Sequence, residues 1–260
     1  MAPIHDAADK ADVDALTALL ASGVSPNTRA GHLERAPLHE LFTWNMRFEQ
    51  RGEAHIACFE LLLRHGADVN ATDRHGHTAL LFLTAAGTTA EWVERFINAG
   101  ADVRMAGHST GETPLHYTAS SGNCDAVRLL IRAGAALDAV NVDGNTPLQR
   151  AITAPWVRNT HRTYPILLRA GAPLPDLDAM IIPNWATRHP GLPYLRKVRA
   201  AGSFANYERL HIDKLTLMLT PKPDSDGGRR RSRRRVNPLR RLPTEIIRKI
   251  VVFAFHTGFY

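Results

Sequence analysis

The stretch "RHGH" places His75 and His77 at i, i+2 spacing, the arrangement that could offer two imidazoles to one metal ion. A structural zinc ion needs four ligands, and two histidines at this spacing on a turn are weak evidence for one. Both side chains are therefore expected at a hairpin tip, in contact with solvent or a partner. His5, His39 and His116 follow short proline-containing motifs ("APIH", "APLH" and "TPLH"), where an imidazole serves to hydrogen-bond neighbouring backbone and threonine. Asp6, Asp9, Asp12 and Asp14 lie close together but are expected on an exposed helix face. Cys58 and Cys124 each sit in a helical pattern without a partner at metal-ligand spacing, so reduced packing residues are expected. No glycine-rich phosphate loop, nucleophile elbow or HExxH helix occurs. The reading is of a protein that is not an enzyme and that uses no cofactor and no metal.

The net charge of +7 suggests a polyanion ligand until its location is considered. Residues 229–241, "RRRSRRRVNPLRR", hold eight arginines and no acid, so setting them aside leaves the rest of the chain at −1. The basic character belongs to one segment, Arg229, Arg230, Arg231, Arg233, Arg234 and Arg235 above all. Nuclear import, nucleic-acid contact and a solubilising linker remain open for it, and Ser232 between the two triplets is placed as a phosphorylation switch. No apolar run approaches the roughly 20 residues needed to span a bilayer, and the first residues lack a secretory layout. A soluble cytoplasmic or nuclear protein without membrane contact is expected.

These residues must be positioned by elements that recur. "GETPLHYTASSGNCDAVRLLIRAGAALD" (111–138) has partial copies at 35–70, 76–103 and 144–174, and a degenerate copy at 4–27. The Gly-Ala steps at Gly66, Gly100, Gly134 and Gly171 are 34, 34 and 37 residues apart. Thr113 and Pro114 open a helix, since proline loses nothing in the first turn and threonine caps well. Leu115, Ala119, Val127, Leu130 and Ile131 recur at helical spacing and supply the faces that stack between copies. Gly134 ends a helix in left-handed backbone, and Gly111 serves a hairpin turn.

The T-P-L-H turn, the two short helices and the terminal Gly-Ala resemble the ankyrin repeat. The resemblance implies an all-α fold: a solenoid of helix-turn-helix repeats with β-hairpin loops. The expected layout is a degenerate repeat over 1–30, four repeats over 31–175 and a helical C-terminal cap over 176–221. An Arg-rich disordered linker (222–238) and an apolar terminal helix (239–260) follow. In this family, contacts come from hairpin tips and the inner face of the first helix. Here those are Arg74, His75 and His77, then Ser109, Thr110 and Glu112, then Val142, Asp143 and Asn145. Asn70 holds the position at which ankyrin proteins can be hydroxylated.

Departures from the period add to the contact set. The span from His39 to Gly66 exceeds that from His116 to Gly134 by nine residues, within a stretch that contains Trp44, Met46 and Phe48. The span from Gln149 to Gly171 carries four extra, beside Trp156. Exposed aromatic and arginine side chains are the types that anchor interfaces; folding back over their own loops is the alternative.

After 175 the period is lost. Helices are expected from about Pro193 to Ala201 and from Phe204 to Leu219, the second with Tyr207, Leu210, Leu215 and Met218 on one face. The terminal "LPTEIIRKIV" resembles the first helix of an F-box and of the F-box-like segment of poxvirus ankyrin proteins. That implies docking on a ubiquitin-ligase adaptor through Leu242, Pro243, Ile246, Ile247, Ile250 and Val251. Only 18 residues follow Leu242, so only that helix is matched. "YLRKVRAAGSFANYERLH" together with "LPTEIIRKIVVFAFHTGFY" is similar to ankyrin-repeat proteins of unicellular algae, in which case the tail packs on the cap instead. The functional expectation is a monomeric scaffold for a protein partner, with or without a ligase adaptor. The alternative is a nuclear regulator that uses its arginines.

Overall fold

The computed structural model describes residues 2–43, 52–154, 160–178, 180, 191–219, 243, 245–247 and 249. The chain divides into two compact units, Met1–Pro193 and Tyr194–Tyr260. Among the described residues, backbone pairing outside the helices is limited to two isolated antiparallel bridges, Ala30 with Arg35 and Thr72 with Thr78.

Among the described residues, the first unit holds five helix pairs: α1 (Pro3–Asp9) with α2 (Val13–Ala21), α3 (Pro37–Glu40) with α4 (Glu53–Arg64), α5 (Ala79–Ala85) with α6 (Ala90–Asn98), α7 (Pro114–Ser121) with α8 (Cys124–Arg132), and α9 (Pro147–Thr153) with α10 (Tyr164–Arg169). Local sequence explains where each starts. Four of the five leading helices carry proline in the first turn behind an extended cap residue. In α5, Thr78 takes over, its hydroxyl accepting from the Leu81 amide at 3.2 Å. At α9 the cap is reciprocal: Gln149 Oε1 accepts from the Thr146 amide at 2.8 Å, and Thr146 Oγ1 accepts in turn from the Gln149 amide. The second helices α2 and α8 open on Asp12 and Asn123, whose side chains accept from the amides of Ala15 and Ala126.

Each pair stacks on the next, with leading helices in the order α1, α3, α5, α7, α9 and with α6, α8 and α10 following one another behind them. Leu115, Ala119, Val127 and Leu130 are fully buried, as their spacing predicts, while Ile131 stays partly exposed. Burying one such leucine is worth about 1.5–3 kcal/mol relative to leaving it in water. Gly66, Gly100, Gly134 and Gly171 take left-handed φ of 84, 86, 85 and 103°. Gly23, at 88°, shows that the degenerate first repeat ends in the same way.

An aromatic cluster fixes the junction of the second and third repeats. Phe42 lies 5.1 Å from the ring of Trp92 and 5.2 Å from that of Phe96, and Phe59 lies 4.8 Å from Phe96. All four are buried. The edge-to-face geometry of the Phe42 pairs places positive ring edges against negative ring faces.

The second unit contains most of α11 (Gly191–Ala200), and α12 (Phe204–Leu219). The α11 helix starts two residues ahead of its expected proline. Tyr194 and Tyr207 meet edge to face at 5.4 Å, and Tyr207 stacks on His211, one turn further on, at 5.6 Å. This row sets the rotation of α12 and corrects the expected apolar face. Leu210 is 58% exposed, and Ile212 is buried instead. Further on, the Ile246 and Ile247 amides both donate to Pro243 O, so a helix begins where the Leu-Pro step predicts.

Candidate functional site

The connections between repeats are hairpins, and their backbones bond to one another. Within each turn, an amide near the start donates to a carbonyl at its close: Ala30 to Arg35, Asp73 to His77, Gly107 to Glu112 and Asn141 to Asn145. Between turns, the Arg74 amide donates to Leu33 O at 2.8 Å, that of His108 to His75 O at 2.8 Å, and that of Val142 to Thr110 O at 2.9 Å. Four hairpins are thereby held in one row. Buried Asp73 and Asn141 brace the third and fifth repeats from below. Asp73 Oδ1 accepts from the amides of His75 and His77, and Asn141 Oδ1 from those of Asp143 and Asn145.

Side chains interlock where hairpins meet. A Cβ on Gly76 would fall 2.3 Å from the His108 ring, and one on Gly107 would fall 2.6 Å from that of His77. Both positions need glycine because an imidazole of the adjacent turn occupies the space, and Gly76 additionally has a φ of +75°. His77 is further held by Asp73 Oδ2 at 3.4 Å and by Phe82, with ring centroids 5.6 Å apart. The two histidines of "RHGH" keep their ring centroids 6.0 Å apart but differ in their surroundings. His75 is exposed and His77 is packed, and among the described residues no group of three His, Cys, Asp or Glu could hold a metal.

Two polar ladders lock one repeat to the next. His5, His39 and His116 contact the carbonyls of Arg35, His77 and Asn145 through Nε2 at 2.8, 3.0 and 3.0 Å. The Nδ1 atoms of His39 and His116 accept from their own cap amides, Ala36 and Thr113, at 3.1 Å. The structural role assigned to these histidines thus extends to the following repeat, and burial pushes the pKa of His39 and His116 down. In the third and fifth repeats, Leu81 and Gln149 occupy this position.

Sequence reasoning missed the second ladder. Asn27 Nδ2 donates to Gly66 O at 2.9 Å while its Oδ1 accepts from the Asp68 amide at 2.8 Å. Asn70 repeats both bonds with Gly100 O and Asp102, and Arg104 Nε donates to Gly134 O. The signal was available: each of the three stands four residues after a repeat-ending glycine. At the next two such positions stand Asp138 and Pro175, and proline has no polar side chain with which to continue.

Charged latches flank an aromatic centre. Arg35 reaches Glu40 at 3.6 Å and lies over the Phe82 ring at 4.8 Å; Arg150 pairs with Glu112. Burial raises the pKa of Glu40 and also that of Tyr117. Glu112, expected at the contact surface, is only 6% exposed, and besides Arg150 its Oε1 accepts from Asn141 Nδ2. Arg74, His75, Ser109, Val142 and Asp143 are exposed along the hairpin row; Thr110 and Asn145 are partly covered. Val140, not expected from the sequence, joins Val142 as an exposed apolar pair, at 59% and 67%. At the terminal helix Pro243 is exposed, Ile246 is 40% exposed and Ile247 is buried. Trp44, Met46, Phe48, Trp156, Leu242, Ile250, Val251 and the arginines of 229–235 lie outside the described residues. Cys58 is buried and its thiol is pushed up to about 11 by that burial, which leaves it a packing residue rather than a thiolate nucleophile.

The stacked helix pairs, the hairpin row and the two ladders define an all-α repeat solenoid. Family models agree: one for a run of ankyrin repeats matches residues 81–172, and one for a single ankyrin repeat matches 35–74. The chain belongs to the ankyrin-repeat family. Palmitoyltransferase ZDHHC13 of Homo sapiens is 28% identical over 182 residues, covering 57% of this chain and 28% of that protein. Ankyrin repeat and SOCS box protein 6 of Homo sapiens is 37% identical over 93 residues, 34% of this chain and 22% of that protein. E3 ubiquitin-protein ligase Ufd4 of Drosophila melanogaster is 40% identical over 86 residues, 33% of this chain and 3% of that protein. The chain thus spans less than a third of the length of each of these relatives. No helix among the described residues is long and apolar enough to cross a membrane.

Proposed function

We propose that this chain is a non-catalytic scaffold that binds a protein partner along its hairpin row, with repeats three to five supplying the contact. The observation that carries this reading is the exposed Val140 and Val142 pair, set on a row whose turns are bonded to one another. A pre-ordered surface loses little conformational entropy on binding, so modest apolar area there converts to affinity efficiently. Arg74, His75, Ser109 and Asp143 are exposed along the same row and give it mixed polarity, which suits a protein ligand better than a polyanion. Purification of partners with the full chain beside a Val140→Asp, Val142→Asp variant tests this. Partners retained by the parent chain should be lost from the variant while its melting temperature stays within about 2 °C. Equal retention would refute the reading.

A second component concerns the terminal helix. Ile246 is 40% exposed at a helix opened by Pro243, the layout of an adaptor-docking helix, and two relatives carry ubiquitin-ligase or SOCS-box names. Their likeness covers only about a third of this chain, so support rests on the helix itself. We read it as a recruiting element for a ubiquitin-ligase adaptor, with the Arg-rich segment serving as linker or import signal in a cytoplasmic or nuclear protein. Ile246→Asp should abolish binding of a purified Skp-type adaptor; undiminished binding would remove this component and leave the scaffold reading intact.

A further inference from the structure

A cleft of about 100 Å³ opens at the amino-terminal end of the hairpin row, lined by His5, Ala30, Gly31, Arg35 and Glu40 among others. That volume is ample for a small polar group. His5 is fully buried. Its Nε2 lies 2.8 Å from the Arg35 carbonyl, which can only accept, so in the neutral ring Nε2 carries the hydrogen and Nδ1 is a bare acceptor. In the second and fourth repeats the equivalent Nδ1 is occupied by a cap amide. In the first repeat Nδ1 has no hydrogen-bond partner among the described residues. The buried Arg35 Nε–H, a donor, is also without one. The remainder of the guanidinium is held in place: Nη1 faces Glu40 at 3.6 Å, and the plane covers Phe82 at 4.8 Å. Leaving a buried donor and a buried acceptor unmatched is costly, so a ligand that satisfies both gains more than from an exposed hydrogen bond.

We propose that this cleft is a binding site for a carboxamide group, whose N–H donates to His5 Nδ1 and whose C=O accepts from Arg35 Nε–H. A carboxylate ligand would supply no donor for His5 and would meet the Glu40 carboxylate. An ammonium ligand would supply no acceptor and would meet the Arg35 charge. A carboxamide can come from an asparagine or glutamine side chain or from a peptide bond of a bound segment. The cleft adjoins the first hairpin of the row, so the proposal rests on the scaffold reading to the extent of naming what one end of that row recognises. It is nevertheless testable without any partner.

The test is a titration of the full-length protein, followed through the histidine ring nitrogens by nuclear magnetic resonance. The His5 signals are assigned by their loss in His5→Gln or, if that variant does not fold, by their perturbation in Arg35→Lys. Four probes are used: Nα-acetylglutamine N-methylamide, Nα-acetylalanine N-methylamide, Nα-acetylglutamate N-methylamide and Nα-acetyllysine N-methylamide. A saturable shift at His5 Nδ1 is expected with the glutamine probe, about tenfold weaker in Arg35→Lys, which keeps the charge but removes Nε–H. An equal response to the alanine probe assigns the site to main-chain amides, and a response confined to glutamine assigns it to side chains. Preference for the glutamate or lysine probe, or no saturable response to any probe, overturns the proposal. Because no partner is present, failure of the partner-retention experiment and failure of this one are separate results.

Discussion

At the residue scale, two kinds of position carry the repeat geometry, and each fails in its own way. Gly76 meets the His108 ring and sits at φ +75°, so Gly76→Ala should destabilise by more than about 1 kcal/mol in urea unfolding. Adding His108→Ala should recover the steric part and leave the backbone part. His39 and His116 are held below the ordinary histidine pKa by burial. The unfolded chain takes up those protons near pH 6.5 and the folded chain does so only at lower pH. Their contribution is therefore fully present above about pH 6.5 and is lost as the pH falls from there toward their folded values. Urea midpoints at pH 7.5 and 5.5 should show the drop, and a His116→Gln variant should show a smaller one. Comparing the variant with the parent removes the opposing effect of Glu40, whose raised pKa favours folding at acid pH.

At the element scale, stability resides in contacts between neighbouring helix pairs, because no single pair can bury its apolar face. Phe96 contacts Phe42 and Phe59 of the preceding repeat and is fully buried, so Phe96→Ala should cost about 3–5 kcal/mol. Asn70 joins the second repeat to the third by two side-chain bonds, and Asn70→Ala should cost about 1–3 kcal/mol in the same assay. Helix starts, helix ends and the stacking leucines were legible in sequence because local chemistry sets them: proline in the first turn, threonine caps, glycine at left-handed positions. The rotation of α12 was not, since a tyrosine stacked on a histidine displaced the expected Leu210 from the packed side. Glu112 misled for a related reason. Its place on the repeat implied a contact residue, but the arginine that neutralises it stands 38 residues further along.

At the scale of the whole molecule, the hairpin row is the feature on which the proposed function rests. Its order comes from bonds among backbone groups of turns 32 to 41 residues apart, which no local pattern announces. The exposed valines were only half legible, since Val142 stands at a family contact position and Val140 precedes the turn. The proposed binding surface is this row. The direct measurement is quantitative partner retention by the full chain, by Val140→Asp with Val142→Asp, and by a control at Arg132→Glu on the exposed end of α8. Retention should be unchanged for the control and lost for the valine variant, with both as stable as the parent. Equal retention by all three proteins would refute binding at this row.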